Sequence, residues 1–279
     1  MPREKNGGNI SYFGEKESLI STLSSLDHHP MENILETKDL TKAFGGLIAI
    51  DGVNFSLQSG EIRCLIGPNG CGKTTFFNVV TGKFKPTRGR VYYQGEDITY
   101  LPIHQISRKG IGRKFQIPSI FGTLSVYENI RVPYFSDEKR TPMFIARTTQ
   151  QEHRAQIMAI LQSVRLDQKA DELAGSLSHG EKQWLEIGMT LAAKPRLLFL
   201  DEPTAGMTLG ETKATADLIK RISSERQLST VVVEHDISFV REMGGRVTVM
   251  YKGQIINEGT FEEVQKDRTV IDIYLGRGH

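Results

Sequence analysis

The segment from residue 62 to residue 74 reads Ile62-Arg-Cys-Leu-Ile66, then Gly67-Pro-Asn-Gly-Cys-Gly72-Lys73-Thr74. The first five residues predict a buried strand, and the next eight satisfy the pattern G-x-x-x-x-G-K-[ST]. Residues 75–80 continue as a predicted helix. Glycines let the backbone fold closely around a polyphosphate, with successive N–H groups pointing inward, and the helix N-terminus adds its positive end. The order strand, loop, helix therefore predicts a nucleotide-phosphate site.

Individual residues of this phosphate loop (residues 67–74) have expected roles. Lys73 should reach the β- and γ-phosphates of ATP. The Thr74 hydroxyl should coordinate Mg²⁺, a hard cation that accepts few protein oxygens and takes its other ligands from phosphates and water. ATP and Mg²⁺ are therefore the predicted cofactors. The predicted nucleotide-binding residues here are Gly67, Pro68, Asn69, Gly70, Cys71, Gly72, Lys73, Thr74 and Thr75.

Short β-like runs alternate with helix-like segments from Ile34 onward, which is typical of a parallel sheet flanked by helices. Between about residues 117 and 175 the β pattern fades, and residues 151–164 carry apolar side chains at helical spacing. We interpret this part as an inserted helical subdomain, and its apolar stripe as core packing. Two short helices are expected after Gly259. The predicted strands are residues 34–38, 53–57, 62–66, 91–93, 197–200, 230–233, 247–251 and 254–257.

A leader and one domain are predicted along the chain. Residues 1–31 contain charged residues, glycines and many serines without an apolar signal core, so we expect a disordered leader, with an amphipathic turn around residues 19–26 as the alternative. Residues 32–279 form the predicted α/β nucleotide-binding domain, with its helical subdomain at about residues 117–180. The expected fold class from these patterns is α/β.

Composition excludes several classes of function. The 35 Lys and Arg residues against 33 Asp and Glu residues give a formal net charge of +2, so no basic field marks a nucleic-acid partner. Cys64 and Cys71 offer neither a disulfide framework nor metal-ligand spacing, which indicates a reducing, cytosolic setting. No apolar run approaches the ~20 residues that span a bilayer, so the chain is not expected to form a membrane pore itself.

A pair of acids follows a second apolar strand, Leu197-Leu-Phe-Leu-Asp201-Glu202-Pro203. Asp201 is expected to hold Mg²⁺ or its water, and Glu202 to polarise the attacking water as a general base. Adjacent residues of an extended chain face opposite ways, but a bend before Pro203 would let both acids serve one site. A single acid in this position is commonly a polar turn. Two acids downstream of a phosphate loop favour a catalytic pair.

The segment Leu177-Ser178-His179-Gly180-Glu181-Lys182-Gln183 resembles the signature loop of ATP-binding cassette (ABC) proteins, written L-S-G-G-Q. The resemblance implies an ABC nucleotide-binding domain that hydrolyses ATP in a head-to-tail dimer. It also implies the fold of that domain, which has a mixed sheet core, flanking helices, an antiparallel β subdomain and an inserted helical subdomain. In that family the signature loop of one subunit binds the γ-phosphate held by the other, which implies this role for Ser178 and Gly180. His179 and Glu181 depart from the pattern, and neither is given a role.

Other positions resemble further elements of the family in the expected order. Phe44 occupies the aromatic position that stacks on adenine, and Gln116 resembles the glutamine that contacts the metal ion and its water. His235 resembles the histidine that contacts the γ-phosphate and the catalytic glutamate. Residues 205–208 occupy the place of the D-loop, with Thr208 where many members have Asp. Any one of these residues alone would be a turn, core or solvated residue; their joint order favours function.

The region around the signature, with Ser178-His-Gly and Lys182-Gln-Trp-Leu-Glu-Ile-Gly-Met189, is similar to importers of the branched-chain amino-acid and urea type. Urea is the expected solute, and branched-chain amino acids are the alternative. The resemblance implies transmembrane permease subunits, a second ABC ATPase subunit and, indirectly, a solute-binding protein as partners. It implies a peripheral position on the cytoplasmic face of the inner membrane. Competing interpretations are a soluble ABC ATPase and a P-loop kinase or GTPase, of which the latter has no use for a signature loop.

Overall fold

A computed structural model of the chain describes residues 33–114, 120–136 and 147–274. The predicted leader and Gln116 lie outside these ranges. The described strands are β1 (Asn33–Phe44), β2 (Leu47–Gln58), β3 (Ile62–Ile66), β4 (Arg88–Tyr93), β5 (Glu96–Asp97), β6 (Ile111–Lys114), β7 (Leu197–Asp201), β8 (Ser229–Val233), β9 (Arg246–Tyr251) and β10 (Gln254–Thr260). The described α-helices are α1 (Lys73–Val80), α2 (Ile103–Arg108), α3 (Val126–Tyr134), α4 (Arg147–Ser163), α5 (His179–Ala192), α6 (Leu209–Arg226), α7 (Ile237–Met243), α8 (Phe261–Val264) and α9 (Arg268–Tyr274).

The strands of the described ranges form two sheets. One has the order β2-β1-β4-β5 and is antiparallel, and the other has the order β10-β9-β3-β8-β7-β6. In the second sheet β9, β3, β8, β7 and β6 run parallel, while β10 pairs antiparallel with β9. The mixed sheet, the antiparallel sheet and the helices confirm the predicted fold class.

Strand β7 shows how the mixed sheet is covered on both faces. All of its residues are buried. Leu198 and Leu200 join an apolar cluster with side chains of α3, α4, α5 and α6, whereas Leu197 and Phe199 join a second cluster with β1, β2 and α1. Successive side chains of a strand point to opposite faces, so a strand covered on both faces must be apolar throughout. The uninterrupted apolar run before Asp201 has this cause.

Helices α3 and α4 pack beside α5 in the region where a helical insertion is predicted. Helix α4 overlaps the predicted helix at residues 151–164, and Ile157, Ile160 and Leu161 are buried in the first cluster. Their interpretation as core residues is confirmed. Gly188 of α5 allows the close approach, because a Cβ atom there would lie 2.9 Å from Ile130 Cδ1 of α3.

The eight predicted strands and both terminal helices are present, but the sequence analysis placed no individual element at β5, β6, α2, α3, α5, α6 or α7. Strand β6 reads Ile-Gly-Arg-Lys and lacks a strand-like apolar pattern. It forms through pairing with β7, and its buried Lys114 pairs with Glu186 of α5, so partners distant in sequence create it. Among the described residues, no helix combines the length and apolar character needed to cross a bilayer.

Candidate functional site

The carboxyl ends of three neighbouring parallel strands bring the predicted site residues together. Leu65 of β3 is in register with Val233 of β8, and Val233 is in register with Asp201 of β7. The phosphate loop, the pair Glu234-His235 and Glu202 therefore leave the sheet side by side. Ligands of open α/β sheets bind outside the carboxyl ends of the strands, and this edge is the candidate site.

Two glycines of the phosphate loop are required by backbone contacts. Gly67 has φ 153° and Gly72 has φ 114°, both in the region that favours glycine. A Cβ atom on Gly67 would lie 2.1 Å from the Met250 carbonyl oxygen, and one on Gly72 would lie 2.5 Å from the Ala49 carbonyl oxygen. The loop is thus fitted between β2 and the hairpin of β9 and β10, which fixes its backbone N–H groups in place.

The Lys73 ammonium lies over the backbone of this loop. Lys73 is the first residue of α1, and its Nζ donates to the carbonyl oxygens of Gly67 at 2.6 Å and Pro68 at 3.1 Å. The Lys73 side chain is buried, whereas Asn69, Gly70 and Thr74 are exposed and Thr75 is half-buried. A buried cation at a helix N-terminus, beside accessible backbone N–H groups and hydroxyls, is suited to a polyphosphate.

Asp201 supplies a buried carboxylate at the same edge of the sheet. Arg113 Nη2 lies 3.8 Å from Asp201 Oδ2, and among the described residues this oxygen has no hydrogen-bond partner. Burial raises the pKa of Asp201, and the charge of Arg113 opposes that shift. Buried polar atoms are rarely left unsatisfied. An orphaned carboxylate oxygen beside a phosphate-binding loop fits a Mg²⁺ ligand or the acceptor for a metal-bound water.

Glu202 turns back toward His235 because its backbone is left-handed, with φ 46°. The Glu202 N–H donates to the Val233 carbonyl oxygen at 2.9 Å, and Glu202 Oε1 lies 3.6 Å from His235 Nδ1. The bend that the sequence analysis expected before Pro203 lies at Glu202 itself, where the left-handed backbone is strained. Such strain in a non-glycine residue costs of order 1–3 kcal/mol and clusters at functional sites.

Glu234 is a site residue that the sequence analysis did not assign. Its carboxylate is buried, and Oε1 accepts hydrogen bonds from the Thr204 N–H at 3.1 Å and the Thr204 hydroxyl at 2.6 Å. Oε2 accepts from the His235 N–H at 3.2 Å. Glu234 thus holds the turn that follows Glu202 against the end of β8. Its position directly after an apolar strand, like that of Asp201, was the available signal.

Arg113 is a second residue without a predicted role. Its Nη1 donates to Asn78 Oδ1 and to Thr81 Oγ1, both at 2.8 Å, which ties β6 to α1. Its charge also faces Asp201, as described above. No local pattern marks this arginine, because its partners lie more than 30 residues away.

The signature loop (residues 177–183) lies at the N-terminus of α5. Ser178 is the N-cap residue, and its hydroxyl accepts from the Glu181 N–H at 3.3 Å while Glu181 Oε2 accepts from the Ser178 N–H at 2.9 Å. Lys169 Nζ pairs with Glu181 Oε1 at 2.7 Å, and Gly180 is buried. Glu181, which had no assigned role, therefore completes a capping box.

Phe44 ends β1 and is 43% exposed. Its ring makes an edge-to-face contact with that of Phe84 at 5.3 Å between centroids, and Lys42 Nζ lies 4.9 Å from the Phe44 ring centroid. A partly exposed aromatic face of this kind can stack on a base. The structure thus places the phosphate loop, Asp201, Glu202 and His235 together, and places Phe44 and the signature loop on separate elements. The prediction for Gln116 lies outside the described residues.

The chain is similar in sequence to several ATP-binding proteins of amino acid transport. The high-affinity branched-chain amino acid transport ATP-binding proteins BraF of Pseudomonas aeruginosa and LivG of Escherichia coli strain K12 are each 36% identical to this chain over 251 residues, which covers 87% of this chain and 98% of either relative. The probable branched-chain amino acid transport ATP-binding protein LivG of Archaeoglobus fulgidus is 35% identical over 248 residues, with 87% and 95% of the two chains covered.

Solved structures are similar over the same extent. The ADP conformation of MJ1267, an ATP-binding cassette of an ABC transporter, superposes with a TM-score of 0.78 at 31% identity, covering 88% of this chain and 99% of that one. A dimeric post-hydrolysis state of the cassette MJ0796, bound to ADP and Pi, gives 0.69 at 26% identity, covering 81% and 98%. A family model described as ABC transporter matches residues 50–205. With this match and a site that suits ATP hydrolysis, the chain belongs to the ABC transporter family as an ATPase subunit.

Proposed function

We propose that this chain is the ATP-hydrolysing subunit of an importer for branched-chain amino acids. The observation that carries the ATPase role is the left-handed turn at Glu202, which sets its carboxylate 3.6 Å from His235 Nδ1 at the strand end next to the phosphate loop. The relatives named above support branched-chain amino acids as the solute. They do not support urea, the solute that the sequence analysis predicts.

Each of the proposed site residues has a separate role in ATP binding or hydrolysis. The phosphate loop binds the triphosphate of ATP, and Lys73, which now donates to loop carbonyls, turns its ammonium to the β- and γ-phosphates. Glu202 accepts a proton from the attacking water, and His235 contacts the γ-phosphate and fixes the Glu202 carboxylate. Ser178 and Gly180 donate to the γ-phosphate bound by the partner cassette, and Phe44 stacks on adenine.

Thr74, Asp201 and Gln116 would hold Mg²⁺ or its water. When bound, the cation would neutralise charge that develops on the phosphate oxygens during hydrolysis. The unsatisfied Asp201 Oδ2 supports this assignment, and the exposed Thr74 hydroxyl lies in the first turn of α1. The positive charge of Arg113, which belongs to β6, partly balances the negative charge of Asp201.

Import requires partners that this chain does not supply. We propose that it pairs with a second ABC ATPase subunit, as in the dimeric cassette MJ0796. The pair would bind permease subunits at the cytoplasmic face of the inner membrane and respond to a solute-binding protein. Residues 1–31 would form a leader and residues 32–279 the ATPase domain, whose helical subdomain at about residues 117–180 would approach the permease near residues 116–121.

The solute is tested in proteoliposomes that contain the chain, its second ATPase subunit and its permease subunits. Phosphate release is measured with the solute-binding protein loaded with leucine, isoleucine, valine or urea. We expect stimulation of several-fold by the three amino acids and none by urea. Stimulation by urea alone would assign the importer to urea and leave the ATPase role intact.

Glu202→Gln is the matched control for hydrolysis in the same vesicles. This variant keeps the size of the side chain and loses the base, so stimulated phosphate release should fall by about 100-fold or more while ATP binding persists. Unchanged phosphate release would remove Glu202 from the role of general base. If the wild-type complex hydrolyses ATP but none of the solutes stimulates it, the proposed import function is wrong.

A further inference from the structure

His179 contacts a segment that leads directly from the catalytic glutamate. It is the first residue of α5, and its Nε2 lies 2.8 Å from the Ala205 carbonyl oxygen. A carbonyl oxygen only accepts, so Nε2 carries the proton and donates it. Ala205 belongs to the connecting turn (residues 203–208), which begins after Glu202 and ends at Thr208, the N-cap residue of α6.

The connecting turn and the start of α6 lie directly against the signature loop. Gly206 has φ 74°, and a Cβ atom there would lie 3.3 Å from His179 Nε2. A Cβ atom on Gly180 would lie 3.0 Å from Glu211 Oε1 in the first turn of α6. One turn further along α5, Trp184 Nε1 donates to Thr215 Oγ1 at 2.9 Å. The packing of α5 against α6 therefore holds the His179 side chain close to the Ala205 carbonyl oxygen.

The helix cap of α5 does not use the His179 side chain. The cap of α5 is formed by Ser178 and Glu181, and His179 is an exposed residue. The signature pattern L-S-G-G-Q has glycine at this position, and glycine has no side chain with which to reach Ala205. The hydrogen bond is thus an addition that leaves the helix cap as it would be without it.

The two ends of this hydrogen bond serve different nucleotides in a cassette dimer. On one side, Ser178 precedes His179 and is proposed to contact the γ-phosphate of the partner cassette. On the other side, the Ala205 N–H donates to the Glu202 carbonyl oxygen at 3.3 Å, and Glu202 acts on the nucleotide of its own chain. In such a dimer, a shift of the signature loop on binding the partner's nucleotide would reach the turn that orients Glu202 through the hydrogen bond of His179 to Ala205, in addition to the contacts between α5 and α6.

We propose that His179 is a positioning residue that couples the two nucleotide sites of the dimer through its hydrogen bond to the Ala205 carbonyl oxygen. The inference rests on the proposed dimeric ATPase and is independent of the transported solute. It requires a donor at the position of Nε2, and it requires neither a charge nor an aromatic ring there.

Two variants of nearly equal length separate donation from packing. His179→Gln keeps an N–H donor able to reach Ala205, whereas His179→Met has none. In the assembled transporter we expect His179→Gln to keep the kcat and the Hill coefficient for ATP. We expect His179→Met to lower kcat by about three- to ten-fold, the effect of one lost hydrogen bond, with a Hill coefficient near one and little change in KM.

Controls separate this outcome from misfolding and from an error in the proposed function. Thermal unfolding should be the same for both variants, and His104→Ala, at an exposed histidine of α2, should match the wild type in all three kinetic constants. Equal behaviour of the Gln and Met variants in a complex that hydrolyses ATP would overturn the coupling. A further outcome is that the Gln and Met variants differ in basal ATP hydrolysis in a complex that no solute stimulates. That result supports the coupling and contradicts only the proposed import function.

Discussion

Glu234 illustrates how much the site depends on single buried residues. Its carboxylate accepts two hydrogen bonds from Thr204 and one from the His235 N–H, so it joins the turn after Glu202 to the end of β8. Burial raises the pKa of Glu234, and the hydrogen bonds from Thr204 oppose the shift. The ionised form therefore carries a cost in the folded chain that the unfolded chain does not have.

This cost predicts a pH dependence of stability. The folded-state pKa of Glu234 lies above its ordinary value of 4.5. Its contribution to stability is therefore complete below that value and is lost as the pH rises through the folded pKa. Glu234→Gln removes the titration, so the free energy of unfolding of the variant relative to the wild type should increase as the pH rises above 4.5 and through the folded pKa.

Urea unfolding at several pH values measures this difference. The exposed Glu152→Gln in α4 is the control, since its difference from the wild type should not vary with pH. A constant difference for Glu234→Gln as well would show that the Glu234 carboxylate is ionised in the folded chain at no cost.

At the scale of elements, β6 and α5 are joined by a buried ion pair. Lys114 Nζ lies 3.4 Å from Glu186 Oε2, with side-chain exposures of 1% and 6%. Burial lowers the pKa of Lys114, and Glu186 opposes this shift. Strand β6 precedes the segment that contains Gln116, and α5 begins with the signature loop. The ion pair therefore links the elements that carry two of the proposed functional segments.

Removal of one charge of this pair should lower the free energy of unfolding far more than removal of both charges. Lys114→Met should reduce the free energy of unfolding by about 3–5 kcal/mol, because the buried Glu186 carboxylate loses its cation. Lys114→Met combined with Glu186→Met should recover most of that loss. Denaturant unfolding of the single and double variants measures the coupling. Additive losses would mean that the two charges do not stabilise each other.

At the scale of the whole molecule, one edge of the mixed sheet gathers loops from three strands. The phosphate loop follows β3, Asp201 ends β7 with Glu202 next to it, and Glu234 follows β8. The apolar clusters on the two faces of the sheet hold these strands in register. A nucleotide bound at this edge contacts segments far apart in sequence, and its binding energy therefore stabilises the whole domain.

Nucleotide binding should accordingly raise the melting temperature. With ATP and Mg²⁺ at about 100 times Kd, the stabilisation is about 2.7 kcal/mol, or about 5–10 °C for a domain of this size. Lys73→Ala should abolish the shift, whereas Lys213→Ala, at an exposed position of α6, should retain it. Thermal unfolding with and without nucleotide measures both. An unchanged shift in Lys73→Ala would exclude the phosphate loop as the nucleotide site.

The amino-acid sequence alone determined the phosphate loop, the pair of acids at the end of β7 and the α/β fold class. These features follow from contiguous residues, since glycine spacing, apolar runs and strand-to-helix order are local properties. The eight strands could be predicted for the same reason, because each is marked by its own run of residues.

Only the tertiary structure decided how these pieces act together. The left-handed turn of Glu202, the anchoring of Thr204 by Glu234, the pairing of Arg113 with α1 and the contact of His179 with Ala205 join residues from separate elements. Strand β6 likewise exists because β7 and Glu186 satisfy its backbone and its buried lysine. Such contacts depend on register and packing between distant segments, and no local pattern of residues specifies them.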